Sequence, residues 1–398
     1  MKIKKVRFIE PGNLPYRKSI KNLYTYDKYI RTPSIGLLTL TTIVKGVVDD
    51  TLMYSESISE IKWNDVFNAD IVFIGIFTFA ATRGYELAQF IKDHSNAIVV
   101  MGGLHASMNY SEAVKNCDFV LLGEGDESIL EFIDSIQNER PIDFTGVAYE
   151  KDNRIIFTGN RKPPENINTI PNRYLLYRYH KMVGHNTLWL QVHASRGCPH
   201  NCDYCAVVRH FGRAIRTRTP ENVVEDIKQS IVFHNKRLIP RINQILWLTD
   251  DNFFADREWT VSVLNAIIDN GIKYSFTVQA RYEVGFDDEL LDLLKKAGFF
   301  ELAMGIEFLE DEAQDWSKYN GNVVHFPQSI SPYDLQQEII HASAKIYSIN
   351  NLLHALLHRK LRDKVLLLGE FFWQKSVQYD LRRELPNLLE LNPTNRTK

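Results

Sequence analysis

Short apolar runs alternate with stretches of helical periodicity through the first 150 residues of this chain, and this alternation constrains its fold. The apolar runs cover residues 6–9, 51–54, 71–77, 98–101 and 119–122. Helical spacing of apolar residues occurs in residues 35–47, 84–93, 111–116 and 127–137. Short strands that are apolar on both faces are typical of a parallel sheet covered by helices on both sides. We therefore predict a doubly wound α/β domain, whose ligands lie beyond the carboxyl ends of the strands.

Glycines follow two of these predicted strands. Gly102 and Gly103 come after the fourth, just before His105, and Gly123-Glu124-Gly125 comes after the fifth. Glycine lets the backbone approach a ligand closely, and the N-terminus of the next helix offers unpaired N–H groups. Neither run is a G-x-G-x-x-G fingerprint, so a dinucleotide is not indicated. On these residues alone, strand-to-helix turns without a ligand are the simpler interpretation.

The βα pattern resumes after a predicted hairpin at residues 146–158 and a linker that extends to about residue 172. Predicted strands cover residues 188–192, 245–248, 274–278 and 302–306, and predicted helices cover 223–233, 260–269 and 289–297. Thr219 is placed to cap a helix, with Pro220 in its first turn. Repeated βα units with functional residues on the loops after the strands are the arrangement of a βα barrel.

Three cysteines, Cys198, Cys202 and Cys205, lie within eight residues, directly after Ser195-Arg196-Gly197. A structural zinc ion takes four ligands, and a cubane iron–sulfur cluster held only by cysteine also takes four. Three thiolates leave one iron of such a cluster without a protein ligand, which is what a cluster needs if it is to bind a substrate.

Two other interpretations of these cysteines are open. A fourth ligand from His193, His200 or His210 would complete a zinc site. The cysteines are also compatible with a purely structural loop. A disulfide is disfavoured, because the chain has four cysteines in all and the look of a cytosolic protein. Cys117, at the end of a predicted helix, is expected to be a buried thiol.

The composition of these 398 residues does not point to a charged macromolecular partner. A formal charge of −2 gives no reason to expect nucleic acid or an anionic membrane. No apolar run approaches the length of a membrane span, and the first residues run straight into a strand. We therefore expect a cytoplasmic protein with no membrane span.

The cysteine spacing and its flanks resemble the radical S-adenosylmethionine (radical SAM) superfamily. The order Pro33-Ser34-Ile35-Gly36-Leu37-Leu38, then Gly-Gly-Leu-His-Ala-Ser, then Gly-Glu-Gly-Asp-Glu is similar to the cobalamin-binding domain that precedes many radical SAM cores. The D-x-H-x-x-G signature of a cobalt-ligating histidine is absent. The resemblance therefore implies that His105 is a polar loop residue near the corrin, and that Gly102, Gly103, Gly123, Glu124 and Gly125 approach it.

The resemblance also implies roles for residues of the second half. A [4Fe–4S] cluster on the three cysteines would bind SAM through its fourth iron. Residues at the predicted strand ends would contact SAM, and an aromatic residue inside the cysteine run would lie beside its adenine. These residues are Asp250, Asp251 and Asn252 at the amino group, Gln279 and Arg281 after the third strand, Glu307 near the ribose, and Tyr204.

The chain departs from the family pattern after Glu307. A full core continues with two further βα units, but residues 308–314 run directly into a segment that resembles the region C-terminal to the barrel in relatives. We infer an internal deletion near residues 312–316. The predicted organisation is a cobalamin-binding-like domain at 1–145, a hairpin and linker at 146–183, an incomplete barrel at 184–314 and a helical region at 315–398.

The function implied is a cobalamin-dependent radical SAM enzyme that transfers a methyl group to an unactivated centre of a small molecule or natural product. Its reductant would be a protein such as flavodoxin or ferredoxin. An oxidative cyclisation, or a degenerate protein that binds cofactors without turnover, are the alternatives. The residues do not identify the substrate or a catalytic side chain.

Overall fold

The computed structural model describes residues 2–12, 33–179, 190–202, 205–235 and 245–303, together with isolated residues of the C-terminal region. Two compact units are present. One consists of Met1–Asn13 and Arg31–Gly305 and contains two β-sheets, and the other consists of Leu14–Ile30 and Ile306–Lys398.

The first sheet has seven strands in the order β2-β1-β3-β4-β5-β6-β7. Its first five strands along the chain are parallel, and β6 and β7 add to it antiparallel. The strands are β1 Lys5–Glu10, β2 Asp50–Ser55, β3 Ile71–Gly75, β4 Ile98–Gly102, β5 Phe119–Leu121, β6 Val147–Lys151 and β7 Arg154–Phe157. The helices are α1 Ile35–Lys45, α2 Trp63–Phe67, α3 Ala81–His94, α4 Leu104–Met108, α5 Tyr110–Ala113 and α6 Ser128–Gln137. The predicted doubly wound α/β domain is confirmed.

Burial on both faces explains why the strands are continuous apolar runs. Phe8 and Ile9 are neighbours in β1, so their side chains point to opposite faces of the sheet. Both are fully buried, and they belong to two different hydrophobic cores. A sheet with only one covered face would instead require alternating polar residues.

The hairpin turns at Asp152 and Asn153, as its sequence predicts. Both residues have positive φ angles, of 51° and 57°. Two successive left-handed residues form the turn that matches the twist of paired strands, and Asp and Asn tolerate this conformation better than most residues.

The second sheet has four parallel strands in the order β8-β11-β12-β13, and β9 and β10 form a separate antiparallel ribbon. The strands are β8 Leu190–Val192, β9 Ser195–Arg196, β10 Arg216–Thr217, β11 Ile245–Leu248, β12 Ser275–Gln279 and β13 Phe299–Ala303. The helices are α7 Ala206–Phe211, α8 Pro220–Asn235, α9 Arg257–Asp269 and α10 Asp288–Ala297. The described strands form an open sheet and no closed barrel, which agrees with the predicted incomplete barrel.

The ends of two helices follow local chemistry. Helix α8 begins at Pro220, and the Asn222 N–H donates a 3.2 Å hydrogen bond to Thr219 Oγ1, so the predicted cap is confirmed. Helix α10 ends at Gly298, whose φ of 98° is left-handed. This cap turns the chain directly into β13, which therefore begins at Phe299, three residues before the predicted start.

Several predictions are not tested by the described residues. The deletion near residues 312–316 lies outside them, as does nearly all of the helical region 315–398. The boundaries at residues 145, 183 and 314 stay predictions. No helix among the described residues is long and apolar enough to cross a membrane.

Candidate functional site

The cysteine run forms the loop between β9 and α7. Gly197 opens it with a φ of 93°, and any Cβ at this position would collide with the carbonyl oxygen of Ala214. The Cys198 N–H donates a 3.4 Å hydrogen bond to the carbonyl oxygen of Gly212, the residue that ends α7. The loop thus returns on itself, and its first turn requires glycine.

All three thiols of this loop are free and partly exposed. Cys205 caps α7, and its N–H donates a 3.0 Å hydrogen bond to the carbonyl oxygen of Cys202. Burial raises the pKa of the Cys205 thiol, and the charges of Cys202 and Cys198 raise it further. A bound cation would relieve that repulsion, so the donor set fits a thiolate-ligated metal. Within the described residues, no three His, Cys, Asp or Glu side chains are already arranged to hold a metal ion.

Two of the three histidines considered as a fourth ligand are neutral and enclosed. Burial lowers the pKa of His193 to about 3, and the charge of Arg196 lowers it further. Burial and the same arginine lower the pKa of His210 to about 4. His193 Nε2 and His210 Nδ1 are buried without a hydrogen-bond partner. Among the described residues, neither joins the cysteines in a group that could hold a metal ion.

Asp250, at the end of β11, supports the strand that leads into the cysteine loop. Its carboxylate accepts a 2.5 Å hydrogen bond from Ser195 Oγ and a 3.2 Å hydrogen bond from the Ala194 N–H. The side chain is fully buried, and this burial raises its pKa to about 7. The hydrogen bonds favour the charged form but do not offset the lost hydration.

Asp251 and Asn252 contact the loop itself. Asp251 accepts a hydrogen bond from the Gly197 N–H, and burial raises its pKa to about 6. Its Oδ2 atom is buried without a partner. Asn252 Nδ2 lies 3.8 Å from Cys198 Sγ. The run Asp250-Asp251-Asn252 therefore holds the cysteine loop in place, and its predicted contact with the SAM amino group stays a prediction.

Glu283, which follows β12, lies within electrostatic range of the same loop. Gln279 is exposed at the strand end. Arg281 Nη2 donates a 2.7 Å hydrogen bond to Glu283. This hydrogen bond is the main cause of a lowered Glu283 pKa, and the charge of His200 in the cysteine loop lowers it too. Tyr204 and Glu307 lie outside the described residues.

At the first sheet, the loops after β3 and β4 are joined by backbone hydrogen bonds. Gly103 has a φ of 90°, and a Cβ there would lie 2.9 Å from the carbonyl oxygen of Ile76. The Ile76 N–H donates to Gly102, and the His105 N–H donates to Ile76. Gly103 is therefore required by the close approach of two strand ends.

The side chain of His105 is fully buried in this domain. Its Nε2 lies 3.0 Å from Tyr85 Oη and 3.7 Å from a carboxylate oxygen of Glu112. Burial lowers the pKa of His105, although Glu112 opposes that shift. The imidazole thus contacts other side chains of its own domain. A role beside a corrin stays a prediction.

Glu124, in the loop after β5 of the first sheet, pairs with the ribbon of β9 and β10. Its carboxylate accepts hydrogen bonds from Arg196, which directly precedes Gly197, and from Arg216 in β10. Sequence reasoning assigned Glu124 to a ligand and overlooked both arginines. Two features of the sequence could have suggested this pairing: an acidic residue between two glycines, and an arginine directly before the cysteine loop.

Two exposed aromatic residues were also overlooked. Phe77 and Phe79 follow β3, are 41% and 46% exposed, and stack with ring centroids 5.7 Å apart. Strand β2 is added on one side of β1, and β3, β4 and β5 are added on the other. The order of strands therefore reverses between β1 and β3, and ligands of doubly wound sheets bind at such a point. An apolar platform at this edge suits a flat ligand.

One family model matches part of the chain. The family model described as the Radical SAM superfamily matches residues 192–326, which include the cysteine loop and run across the predicted deletion. An uncharacterized methyltransferase of Pyrococcus horikoshii is 26% identical over 322 residues, which cover 77% of this chain and 66% of that protein.

Two further relatives have named reactions. The bacteriochlorophyllide d C-8(2)-methyltransferase of Chlorobaculum tepidum is 24% identical over 245 residues, 61% of this chain and 45% of that protein. The anaerobic magnesium-protoporphyrin IX monomethyl ester cyclase of Rubrivivax gelatinosus is 23% identical over 250 residues, 60% of this chain and 44% of that protein. The chain thus spans less than two thirds of the length of these relatives.

Solved structures share the fold. The radical SAM methyltransferase TsrM of Kitasatospora setae, with cobalamin and a [4Fe–4S] cluster bound, matches with a TM-score of 0.59 at 15% identity. The match covers 78% of this chain and 62% of TsrM. The cobalamin-dependent radical SAM enzyme OxsB, with aqua-cobalamin bound, matches with a TM-score of 0.59 at 14% identity over 78% of this chain and 45% of OxsB.

Proposed function

The chain carries a radical SAM domain, and from this premise we propose that it is a cobalamin-dependent radical SAM methyltransferase. A radical SAM domain implies a [4Fe–4S] cluster and SAM. We assign the cluster to Cys198, Cys202 and Cys205. The observation that carries the proposal is the anchoring of this loop, because Asp250 and Asp251 hold it from one sheet and Glu124 holds its base from the other.

Anchoring of the loop matters because the one open iron of the cluster must face a fixed direction. The hydrogen bonds of Asp250 and Asp251 fix Ser195 and Gly197, the residues just before Cys198. Asn252, beside Cys198 Sγ, supplies an amide donor of the kind that tunes thiolate clusters. These side chains orient the thiols, and the loop stays accessible to a small molecule because its cysteines are partly exposed.

We place the cobalamin at the carboxyl edge of the first sheet. Phe77 and Phe79 offer an exposed apolar platform there, and Gly102 and Gly103 keep the neighbouring backbone free of side chains. When bound, the cluster supplies the electron that splits the SAM sulfonium, and cobalamin supplies a cobalt that carries a methyl group. The chain's own contribution is to hold both groups and to orient them.

The substrate and the reductant follow from this chemistry as classes. We propose a small molecule or natural product with an unactivated carbon or phosphorus, and a reductant such as flavodoxin or ferredoxin. All four cysteines are free thiols, which suits the reducing cytoplasm, where thiols stay reduced.

The test is transfer of label. The protein is reconstituted without oxygen and incubated with a reductant, cobalamin and SAM that carries an isotopic label in its methyl group. Methyl transfer predicts label on the cobalamin, and SAM cleavage alone predicts 5′-deoxyadenosine without it. Absence of both products would contradict the enzyme and support a degenerate cofactor-binding protein.

Oxidative cyclisation is the second candidate, because a cyclase stands among the relatives at nearly the same identity as the methyltransferases. It predicts 5′-deoxyadenosine without transfer of label to cobalamin or product. The same reaction mixture therefore separates the two functions.

A further inference from the structure

Four charged side chains meet at the base of the cysteine loop, two from the loop after β5 of the first sheet and two from the ribbon of β9 and β10. Glu124 accepts hydrogen bonds of 2.6 Å from Arg196 Nη1 and of 2.5 and 3.0 Å from Arg216. Asp126 accepts hydrogen bonds of 2.8 and 3.1 Å from Arg196. All four side chains are at most 12% exposed. Two carboxylates thus balance two guanidinium groups in a nearly dry environment.

The ribbon of β9 and β10 beside the loop requires this balance of charges. Arg196 in β9 lies directly opposite Arg216 in β10. Like charges directly opposite each other destabilise a strand pair. Glu124 lies between them and removes that repulsion. A buried charge is tolerated only when it is paired, so loss of one carboxylate leaves positive charge uncompensated next to the cysteines.

Both partners in the contact between Glu124 and the arginines are held in place. The Gly123 N–H donates a 3.0 Å hydrogen bond to Ser107 Oγ, and a Cβ at Gly125 would lie 3.1 Å from a methyl carbon of Leu40. On the other side, Arg216 Nη2 also donates a 2.9 Å hydrogen bond to the carbonyl oxygen of Phe211, the last residue of α7. Glu124 therefore reaches both the residue before the loop and the helix after it.

The charges of this group extend to the loop. Arg196 lies two residues before Cys198, and the Gly197 N–H between them donates a hydrogen bond to Asp251. Arg216 Nη2 reaches the carbonyl oxygen of Phe211, in the helix that follows Cys205. Any change in the charge of this group therefore acts next to the thiols.

We propose that Glu124 is a positioning residue whose negative charge, by neutralising Arg196 and Arg216, sets the reduction potential of the cluster held by the cysteine loop. This inference rests on the proposed function. It assigns an electrostatic task to a residue that sequence reasoning gave to the ligand of the first sheet. The physical basis is that cluster potentials respond to local charge, hydrogen bonds and exposure.

The experiment is a redox titration of the reconstituted full chain, followed by EPR. Glu124→Gln keeps the size of the side chain and removes its charge. Glu127→Gln is the matched control, because Glu127 is three residues away, 58% exposed and paired with Arg161. The double variant Glu124→Gln/Arg216→Gln removes one charge of each sign. Iron content and a thermal unfolding curve are recorded for each protein.

We expect Glu124→Gln to shift the midpoint to a higher potential, because net positive charge favours the reduced cluster. Glu127→Gln is expected to match the wild type, and the double variant to return towards it. An unchanged midpoint in Glu124→Gln, or a double variant that shifts as far as the single one, would overturn the inference. If Glu124→Gln folds but binds no iron, recovery of the cluster in the double variant supports the charge balance, and failure to recover it counts against it. A wild-type protein that forms no cluster overturns the proposed function instead.

Discussion

Ser195 Oγ donates a 2.5 Å hydrogen bond to Oδ1 of Asp250, although 55 residues separate the two in the chain. Ser195 belongs to the strand that enters the cysteine loop, and Asp250 follows β11. The carboxylate is fully buried, and the backbone N–H of Ala194 is its second donor. This contact ties the position of the cysteine loop to the edge of the second sheet.

The raised pKa of Asp250 predicts a pH dependence of stability. Burial raises this pKa from 3.8 to about 7, so the folded protein holds the proton more tightly than the unfolded chain. Asp250 therefore stabilises the folded state at low pH. This stabilisation, at most about 4 kcal/mol of the free energy of unfolding, is lost as the pH rises towards 7. Asp250→Asn is expected to gain stability relative to wild type between pH 5 and pH 8, as measured by urea unfolding.

The exposed Asp269 supplies the control for that comparison. Asp269→Asn is expected to keep the wild-type pH dependence, because its carboxylate lies at the end of α9 in solvent. Equal pH slopes for Asp250→Asn and wild type would show that Asp250 does not hold the proton.

Gly103→Ala is expected to destabilise the first sheet by about 1–3 kcal/mol. The φ of 90° is unfavourable for alanine, and its Cβ would press on the backbone of Ile76. Gly36→Ala is the matched change, because a Cβ at this position in α1 meets nothing within 4 Å. Chemical denaturation would measure both, and equal stability of the two variants would contradict the close approach of the strand ends.

Each of Cys198→Ala, Cys202→Ala and Cys205→Ala is expected to lose most of the iron bound after anaerobic reconstitution, because the proposed cluster has only these three protein ligands. Cys117→Ala is the control. Its thiol is buried in the first sheet with a pKa raised to about 12, mainly by burial, so it is a poor ligand. Iron and sulfide analysis measures the outcome, and retention of iron by any of the three loop variants would remove that residue from the ligand set.

Asp226→Asn is expected to cost about 3–5 kcal/mol, because it leaves two buried guanidinium groups without a counter-charge. Asp226 lies 2.8 Å from Arg173 and 2.7 Å from Arg218, and all three side chains are at most 3% exposed. Glu225→Gln, one residue earlier on the exposed face of α8, is expected to change stability by less than about 0.5 kcal/mol. A thermal or urea unfolding curve of each variant decides the matter, and similar losses in both would show that the buried triad is not special.

The fold was largely predictable because its signals are local. The apolar runs that became β1 to β5, the Asp152-Asn153 turn and the Thr219 cap each depend on neighbouring residues. Parallel strands buried on both faces have a distinctive composition, so their number and order along the chain could be read directly.

The roles of individual site residues were less predictable because they depend on contacts between distant parts of the chain. Glu124 and Arg196 are separated by 72 residues, and nothing local distinguishes an acid that binds a ligand from one that pairs with arginine. His105 was expected to be a loop residue beside a ligand, but it lies in helix α4, where its ring contacts Tyr85 and Glu112. Such pairings become visible only when distant segments of the chain are placed together.

Binding of a SAM-ligated cluster through three cysteines is central to the proposed function. We would reconstitute the protein anaerobically with iron and sulfide, reduce it, and record EPR spectra with and without SAM. We predict the signal of a reduced [4Fe–4S] cluster that changes when SAM is added. A cluster signal indifferent to SAM, or no cluster at all, would contradict the proposal.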